Sequence, residues 1–335
     1  MSRLVIVADD LTGALDSAAR FVPAYGPIGV FWSPGGVTDR PAFDVGALDA
    51  GTRDLEPDIA LRAIAQFAPL LKHGGIAFKK IDSLLRGHVR LELLACLEGF
   101  DHCILAPAFP HQGRITRGGR QWVRSADRWK PLDVDLGGID PRVQVHDAET
   151  QDDLAAIVEA GRRLPGRVLW CGTGGLAGAL AGNLPAPRPP LPFPVLALIG
   201  SDHPVSVAQV AAIGPGHVRL GHATTTAERI AAVTVDIDPG TSRDLARRRI
   251  TDAFHGLLHR IPRPGTLAVA GGETLRALCG ALGVHHLEVD GEIEPGAPTS
   301  VMHGGPWDGQ RIVSKSGAFG DAGFLARLLN VGAPC

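Results

Sequence analysis

The chain has 335 residues, of which 45% are apolar and 20% charged. That is enough apolar surface for two cores, and too little charge to keep the chain unfolded. With 33 basic against 35 acidic residues, a net charge of −2 and only 5% aromatics, composition argues against a nucleic-acid reader, whether basic or built on stacking rings.

No apolar stretch nears the roughly 18 residues of a membrane span. The opening MSRLVIVADD meets two aspartates after one short apolar run, too short for a signal-peptide core. Cys96, Cys103, Cys171, Cys279 and Cys335 form no C-x-x-C pair and read as reduced, mostly buried thiols. A cytoplasmic protein with small-molecule ligands, and no membrane or nucleic-acid partner, is expected; a homodimer is left open.

Short apolar runs alternate with helical patterns. Strands are predicted at Leu4–Val7, Ile28–Phe31, Val45–Leu48, Ile76–Phe78 and Cys103–Leu105. Helices are predicted at Gly13–Phe21, Ile59–Phe67 and Leu84–Leu97. This alternation predicts an α/β fold with a mainly parallel sheet. Pro185–Pro194, six prolines in ten residues, cannot continue a helix or central strand and reads as a stiff linker. Domains are therefore expected at 1–184 and 195–335. A second series follows, with strands at Val195–Ile199, Thr266–Val269 and Ile312–Val313. Its helices are predicted at Val205–Ile213, Arg243–Leu258, Thr274–Leu282 and Ala322–Leu329.

Four stretches of the first half fall where a strand should end, the edge at which open α/β sheets bind ligands. Asp9 and Asp10, followed by Thr12, repel each other and call for a compensating cation; the competing reading is that Asp10 or Thr12 merely caps a helix. In Lys79-Lys80-Ile81-Asp82-Ser83-Leu84-Leu85-Arg86-Gly87, Lys80 and Asp82 share a side if the strand persists. Asp82 or Ser83 would cap the next helix, whose amides suit an anion, with Arg86 one turn in. The competing reading there is a capped helix with solvated charges. Arg53, in Asp49–Arg53, suits a carboxylate. Ala106–Arg114 leads into a Gly/Pro-rich loop, and the six basic residues from Arg114 to Lys130 read best as a solvated face.

The second half carries glycine turns after strands, at Gly200-Ser201, Gly271-Gly272-Glu273-Thr274, Gly296 and Lys315-Ser316-Gly317-Ala318-Phe319-Gly320-Asp321. Glycine lets backbone amides approach phosphates, so together they suggest a nucleotide site. Gly172–Ala177 fits G-x-G-x-x-A, but no acidic residue follows about twenty positions on, which argues against a dinucleotide fold. No P-loop occurs, and His255 and His259 lack the H-E-x-x-H context of a metal site.

Together ADDLTGALD (Ala8–Asp16), DAGTR (Asp49–Arg53), KKIDSLLRG (Lys79–Gly87), APAFPHQGR (Ala106–Arg114), HDAET (His146–Thr150), GTGGLAGALA (Gly172–Ala181), GGET (Gly271–Thr274) and KSGAFGD (Lys315–Asp321) resemble the four-carbon acid sugar kinase family, in family order and across nearly the whole chain. The resemblance implies an N-terminal sugar-acid domain, a C-terminal nucleotide domain and an active site in the cleft between them. It implies ATP-dependent phosphorylation of a hydroxyl of an acid such as threonate, erythronate or 3-oxo-tetronate, with Mg2+ arriving on ATP and no protein metal ligand assigned.

Substrate is expected at Asp9, Asp10, Thr12, Arg53, Lys80, Ile81, Asp82, Ser83 and Arg86. ATP is expected at Ser201, Gly271, Gly272, Glu273, Thr274, Gly296, Gly317 and Gly320. Arg53, with Arg86, would grip the carboxylate. Asp10 and Asp82 would hold hydroxyls, with Asp82 favoured as base, and Lys80 would neutralise the phosphoryl group.

Leu84 and His88 stand where the family usually has Thr and Asn, and Gly200-Ser201-Asp202-His203-Pro204 departs from the usual G-S-C-S pattern. The chain is also shorter than the family norm, with cuts expected at Gln121–Arg142 and around Gly221–Ala232. The rival readings are a kinase of another small hydroxy acid and a non-catalytic sugar-acid sensor.

Overall fold

A parallel strand buried on both faces reads as one apolar run, and Leu4–Ala8 (β1), LVIVA, is such a strand, buried throughout. The computed structural model describes residues 3–33, 45–125, 128–221 and 231–330. The chain divides into two units, Met1–Ala186 and Pro187–Cys335.

In the first unit β1 is followed by α1 (Leu11–Tyr25), β2 (Ile28–Phe31), β3 (Val45–Asp49), α2 (Pro57–Phe67), β4 (Ile76–Lys80), α3 (Val89–Cys96) and β5 (His102–Ala106). Then come β6 (Arg114–Arg117), β7 (Arg120–Ser125), β8 (Arg128–Pro131), β9 (Val143–Val145), α4 (Gln151–Gly161), β10 (Val168–Gly172) and α5 (Gly174–Leu180). Seven strands pair in parallel in the order β2-β3-β1-β4-β10-β5-β9. The chain winds outward on both sides of β1, so the loops after β1, β3 and β4 flank a topological switch point. On one face α1 packs with α5 and α5 with α4; α2 and α3 pack together. Beneath α2 and α3, Val5, Val7, Leu48, Ile64, Leu71, Leu93 and Leu105 share one core, each contributing roughly 1.5–3 kcal/mol of burial.

In the second unit the order is β11 (Val195–Ile199), α6 (Pro204–Ala211), β12 (His217–Leu220), β13 (Ala232–Val235), α7 (Arg243–Leu258), β14 (Thr266–Ala270) and α8 (Gly272–Ala281), then β15 (His286–Glu294), β16 (Ala297–His303), β17 (Arg311–Lys315) and α9 (Phe324–Asn330). The strands run β12-β13-β11-β14-β17-β16-β15. The first five are parallel and the last two antiparallel. Val195, Ala197, Ile199, Val313, Phe324 and Leu328 close the core under α9.

Two expectations change. The helix predicted from Leu84 begins only at Val89, because Leu85 and Gly87 sit at φ 57° and 82°, in the left-handed region that a helix cannot contain. The basic loop from Arg114 to Lys130 is instead a three-stranded antiparallel sheet, β6-β7-β8. The proline-rich stretch is tied to the second unit: Pro187 O accepts from Glu292 N at 3.0 Å, and Pro192 O from Thr266 Oγ1 at 2.8 Å.

Cys96, Cys103, Cys171 and Cys279 are free and buried, as expected; Cys335 lies outside the described residues, as does most of the shortening expected around Gly221–Ala232. Among the described residues no helix is long and apolar enough to cross a membrane.

Candidate active site

At the carboxyl edge of the first sheet, Ala8 is level with Asp49 on β3 and Lys80 on β4. Asp10 caps α1: its Oδ1 accepts from Gly13 N at 2.9 Å and its Oδ2 from Thr12 Oγ1 at 2.5 Å. Capping is only half of its role. The cation demanded by adjacent carboxylates is Arg53, whose Nε and Nη2 bind the two oxygens of Asp9 at 2.9 and 2.8 Å, while Nη2 reaches Asp10 Oδ1 at 2.6 Å. Burial pushes the Asp9 carboxyl up, but Arg53, with Lys79 and Lys80, outweighs burial and holds it below the ordinary range. The Arg53 guanidinium therefore stands engaged by Asp9 and Asp10.

Asp82 is held in the same manner by Arg86, through Nε and Nη2, each at 2.8 Å, with Arg53 Nη2 at 3.8 Å. Burial would raise its carboxyl; the Arg86 hydrogen bonds and the Arg53 charge hold it far below the usual carboxylate value. Its Oδ2 also accepts from the amides of Leu84 and Arg86, each at 3.2 Å. This corrects the expected helix end: the amides there belong to the Asp82 carboxylate, and neither Asp82 nor Ser83 caps α3. Gly87 presses against the Arg53 backbone, where a Cβ would lie 3.3 Å from Arg53 Cα.

Lys80 is buried and donates to Ile81 O at 2.8 Å. A Cβ built on Gly13 would stand 2.6 Å from Asp10 Oδ1 and 2.8 Å from Lys80 Nζ, so the ammonium and this carboxylate converge over a residue that has room for no side chain. Of the residues expected at the substrate, Asp9, Asp10, Thr12, Arg53, Lys80, Asp82 and Arg86 are thus joined in one network. Ile81 and Ser83 contribute backbone carbonyls, the latter accepting from Gln121 Nε2 at 3.1 Å.

Two features had escaped the sequence reading. Arg114 stands on the face of β6 that it shares with Thr116, and Thr116 Oγ1 bonds the Gln121 that reaches Ser83 and Pro107. Burial pulls the Arg114 guanidinium below its ordinary value, and it feels the charges of both Asp82 and Arg86. Its Nη1 binds Gln112, its buried Nε has no partner, and no carboxylate pairs with it among the described residues. Its signal in the sequence is an Arg that ends the APAFPHQGR stretch, at the head of a run of surface charges. Beneath the site, Lys79 Nζ pairs with Glu92 Oε2 at 2.8 Å, and Glu92 Oε1 accepts from Thr52 Oγ1 at 2.7 Å. All three residues are buried. Nothing in sequence separates Glu92 from an exposed helical glutamate.

In the second unit three of the glycine turns converge. A Cβ on Gly200 would lie 2.1 Å from Thr274 Oγ1, and one on Gly317 2.0 Å from Ser201 Oγ; Gly271, at φ 114°, lies against both Thr274 and Ser201. Gly296 and Gly320 stand further out and pack against Phe319 and Phe324. Glu273 turns away to pair with Arg243 at 3.1 Å. Gly272 begins α8. The departure at 202–204 has a local purpose: His203 Nδ1 caps α6, with Pro204 at its first turn.

The rejected dinucleotide pattern is packing: Cβ atoms on Gly172 and Gly175 would lie 2.5 Å from Ala106 O and 2.6 Å from Ala108 O. His255 and His259 stack edge to face on the surface of α7. No group of three His, Cys, Asp or Glu is placed to hold a metal among the described residues.

Residues 4–135 match the family model of a sugar-binding N-terminal domain and residues 206–325 that of a nucleotide-binding C-terminal domain. A D-threonate kinase of Cupriavidus necator is 30% identical over 96% of either chain. The chain belongs to the four-carbon acid sugar kinase family. Another relative, a D-erythronate kinase of Heliobacterium modesticaldum, is 33% identical over 47% of this chain and 36% of its own. A Salmonella typhimurium LT2 protein of known structure, 19% identical, shares the fold over 98% of both chains with a TM-score of 0.74. The alignment with the Cupriavidus kinase runs over 404 positions. This four-carbon acid sugar kinase relative of 335 residues thus lacks internal segments that the longer enzyme carries.

Proposed function

We propose that the chain is an ATP-dependent kinase that phosphorylates a hydroxyl of a small, four-carbon sugar acid. The observation that carries this reading is a buried carboxylate–guanidinium network at the switch-point edge of a sugar-binding fold, in a chain whose second unit gathers glycine turns around Ser201 and Thr274. The acid's carboxylate binds Arg114, because Arg53 and Arg86 are already engaged by Asp9 and Asp82. Asp82, kept ionised by Arg86, orients the hydroxyl. Asp10, whose carboxylate converges with Lys80 Nζ over Gly13, takes the proton. In a loose transition state that proton leaves late. Lys80 neutralises the transferring group. Mg2+ comes with the nucleotide and screens its phosphate charge. Reduced buried thiols and ATP use suit the cytoplasm.

The test is ATP consumption by the full chain across four- and five-carbon sugar acids of both configurations, beside the matching uncharged polyols. Turnover with a four-carbon acid and none with its polyol is expected. No turnover with any acid sinks the reading and favours a sensor. In the same assay Arg114→Met should raise KM for the acid about 30-fold, the worth of a charge-assisted contact, and leave KM for ATP unchanged. An unchanged acid KM would remove Arg114 from the site.

A further inference from the structure

Lys315 ends β17, level with Ala270 on β14, and its carbonyl accepts from Gly271 N at 3.0 Å. It therefore stands between two of the glycine turns, Gly271 one strand away and Gly317 two residues on. The residue is only 4% exposed, and its Nζ is sealed from solvent with no hydrogen-bond or ion-pair partner among the described residues. A buried ammonium without a counter-charge costs several kcal/mol, and nothing in the packing of this unit requires one at that place. Other strand ends of the sheet, at Ile199 and Ala270, are apolar.

We propose that Lys315 is the cation that binds the nucleotide's phosphate groups at the Gly200-Ser201, Gly271–Thr274 and Gly317 turns. This rests on the reading of the second unit as an ATP site and adds to it the residue that supplies charge. The chain has no P-loop lysine, and backbone amides supply only partial charge. Lysine's four-carbon stem lets the head group swing to an arriving phosphate.

Burial alone pushes the Lys315 amine down to about 8, so the cation is present at pH 7 and lost as pH rises. The charged groups on the surrounding elements are Glu273 and Arg276 on α8, Arg311 on β17 itself, Glu292 and Glu294 on β15, Asp321 before α9, Arg327 on α9 and His203 at α6. Arg327 is paired with Asp321 and Glu294. Carboxylates, guanidinium and imidazole ordinarily titrate outside pH 8–9.5.

The test compares ATP with adenosine, which lacks phosphates, by calorimetric binding to the full chain. Lys315→Met should weaken ATP about 30-fold and leave adenosine within about twofold. Equal loss for both ligands marks a structural role and overturns the proposal, as does unchanged ATP affinity. If the variant does not fold, the wild-type chain decides: ATP affinity should fall about tenfold from pH 7 to 9.5 with adenosine constant, and a flat ATP profile overturns the proposal. A wild-type chain that binds no ATP at pH 7 overturns the kinase reading itself, a result distinct from a chain that binds ATP without help from Lys315.

Discussion

Asp82→Asn is expected to lower turnover on the acid about 1,000-fold and to leave ATP affinity within about twofold. The amide keeps one acceptor oxygen but loses the charge that holds Arg86 through two 2.8 Å bonds, and it presents N–H groups to a guanidinium that can only donate. Arg86 is released, and the 82–87 turn, which the same carboxylate ties at the amides of Leu84 and Arg86, loses its anchor. That turn packs against Arg53 through Gly87, so the disturbance reaches Asp9 and Asp10. Steady-state kinetics with the best acid of the panel, beside ATP titration, measure both halves. Near-normal turnover would show that Asp82 takes no part in catalysis, and a parallel loss of ATP binding would show a general collapse.

The largest effect on stability belongs to a residue that touches no substrate. Glu92→Leu leaves Lys79, fully buried, without its ion-pair partner, and Thr52 without its acceptor. Breaking one side of a buried pair costs about 3–5 kcal/mol, which for a unit of this size lowers Tm by roughly 10 °C. Replacing both partners, Lys79→Met with Glu92→Leu, should recover most of that stability, since an apolar pair of similar volume needs no desolvation. Activity should not recover with it. Thr52 and Arg53 both donate their backbone amides to Asp9 O, and without the Thr52–Glu92 bond the loop that carries Arg53 loses its second tether. Thermal unfolding and kinetics on the single and double variants separate the two effects. A double variant as unstable as the single one would refute the ion-pair account, and a fully active one would refute the positioning role.

Much of the site could be read in the chain. Adjacent carboxylates at Asp9 and Asp10 demanded a cation, and Arg53, at the end of a neighbouring strand, is that cation. Position alone leaves Arg53 open to a substrate carboxylate, and the structure shows its guanidinium engaged by Asp9 and Asp10, because strand-end position says which groups meet and not which of them pair with one another. By spacing Arg86 falls one turn into a helix; in the structure it is a clamp on Asp82, since two left-handed residues delay the helix to Val89. The basic run from Arg114 to Lys130 looked like solvated charge, and only antiparallel pairing into β6–β8 turns Arg114 back toward Asp82 while Arg120 and Arg128 stay exposed.

Local order was thus determined by the sequence: the apolar runs that become buried parallel strands, the glycines that end them, and the motifs that mark the family. These depend on near neighbours and on period. Tertiary structure decided which charges are paired with one another and which stand without a carboxylate. Arg53, Arg86 and Lys79 are cations of the same kind as Arg114 and Lys315. Packing gives the first three a carboxylate at 2.8 Å and gives the last two none among the described residues. Pairing of this kind is set by residues up to 44 positions apart, a separation at which no local pattern carries information.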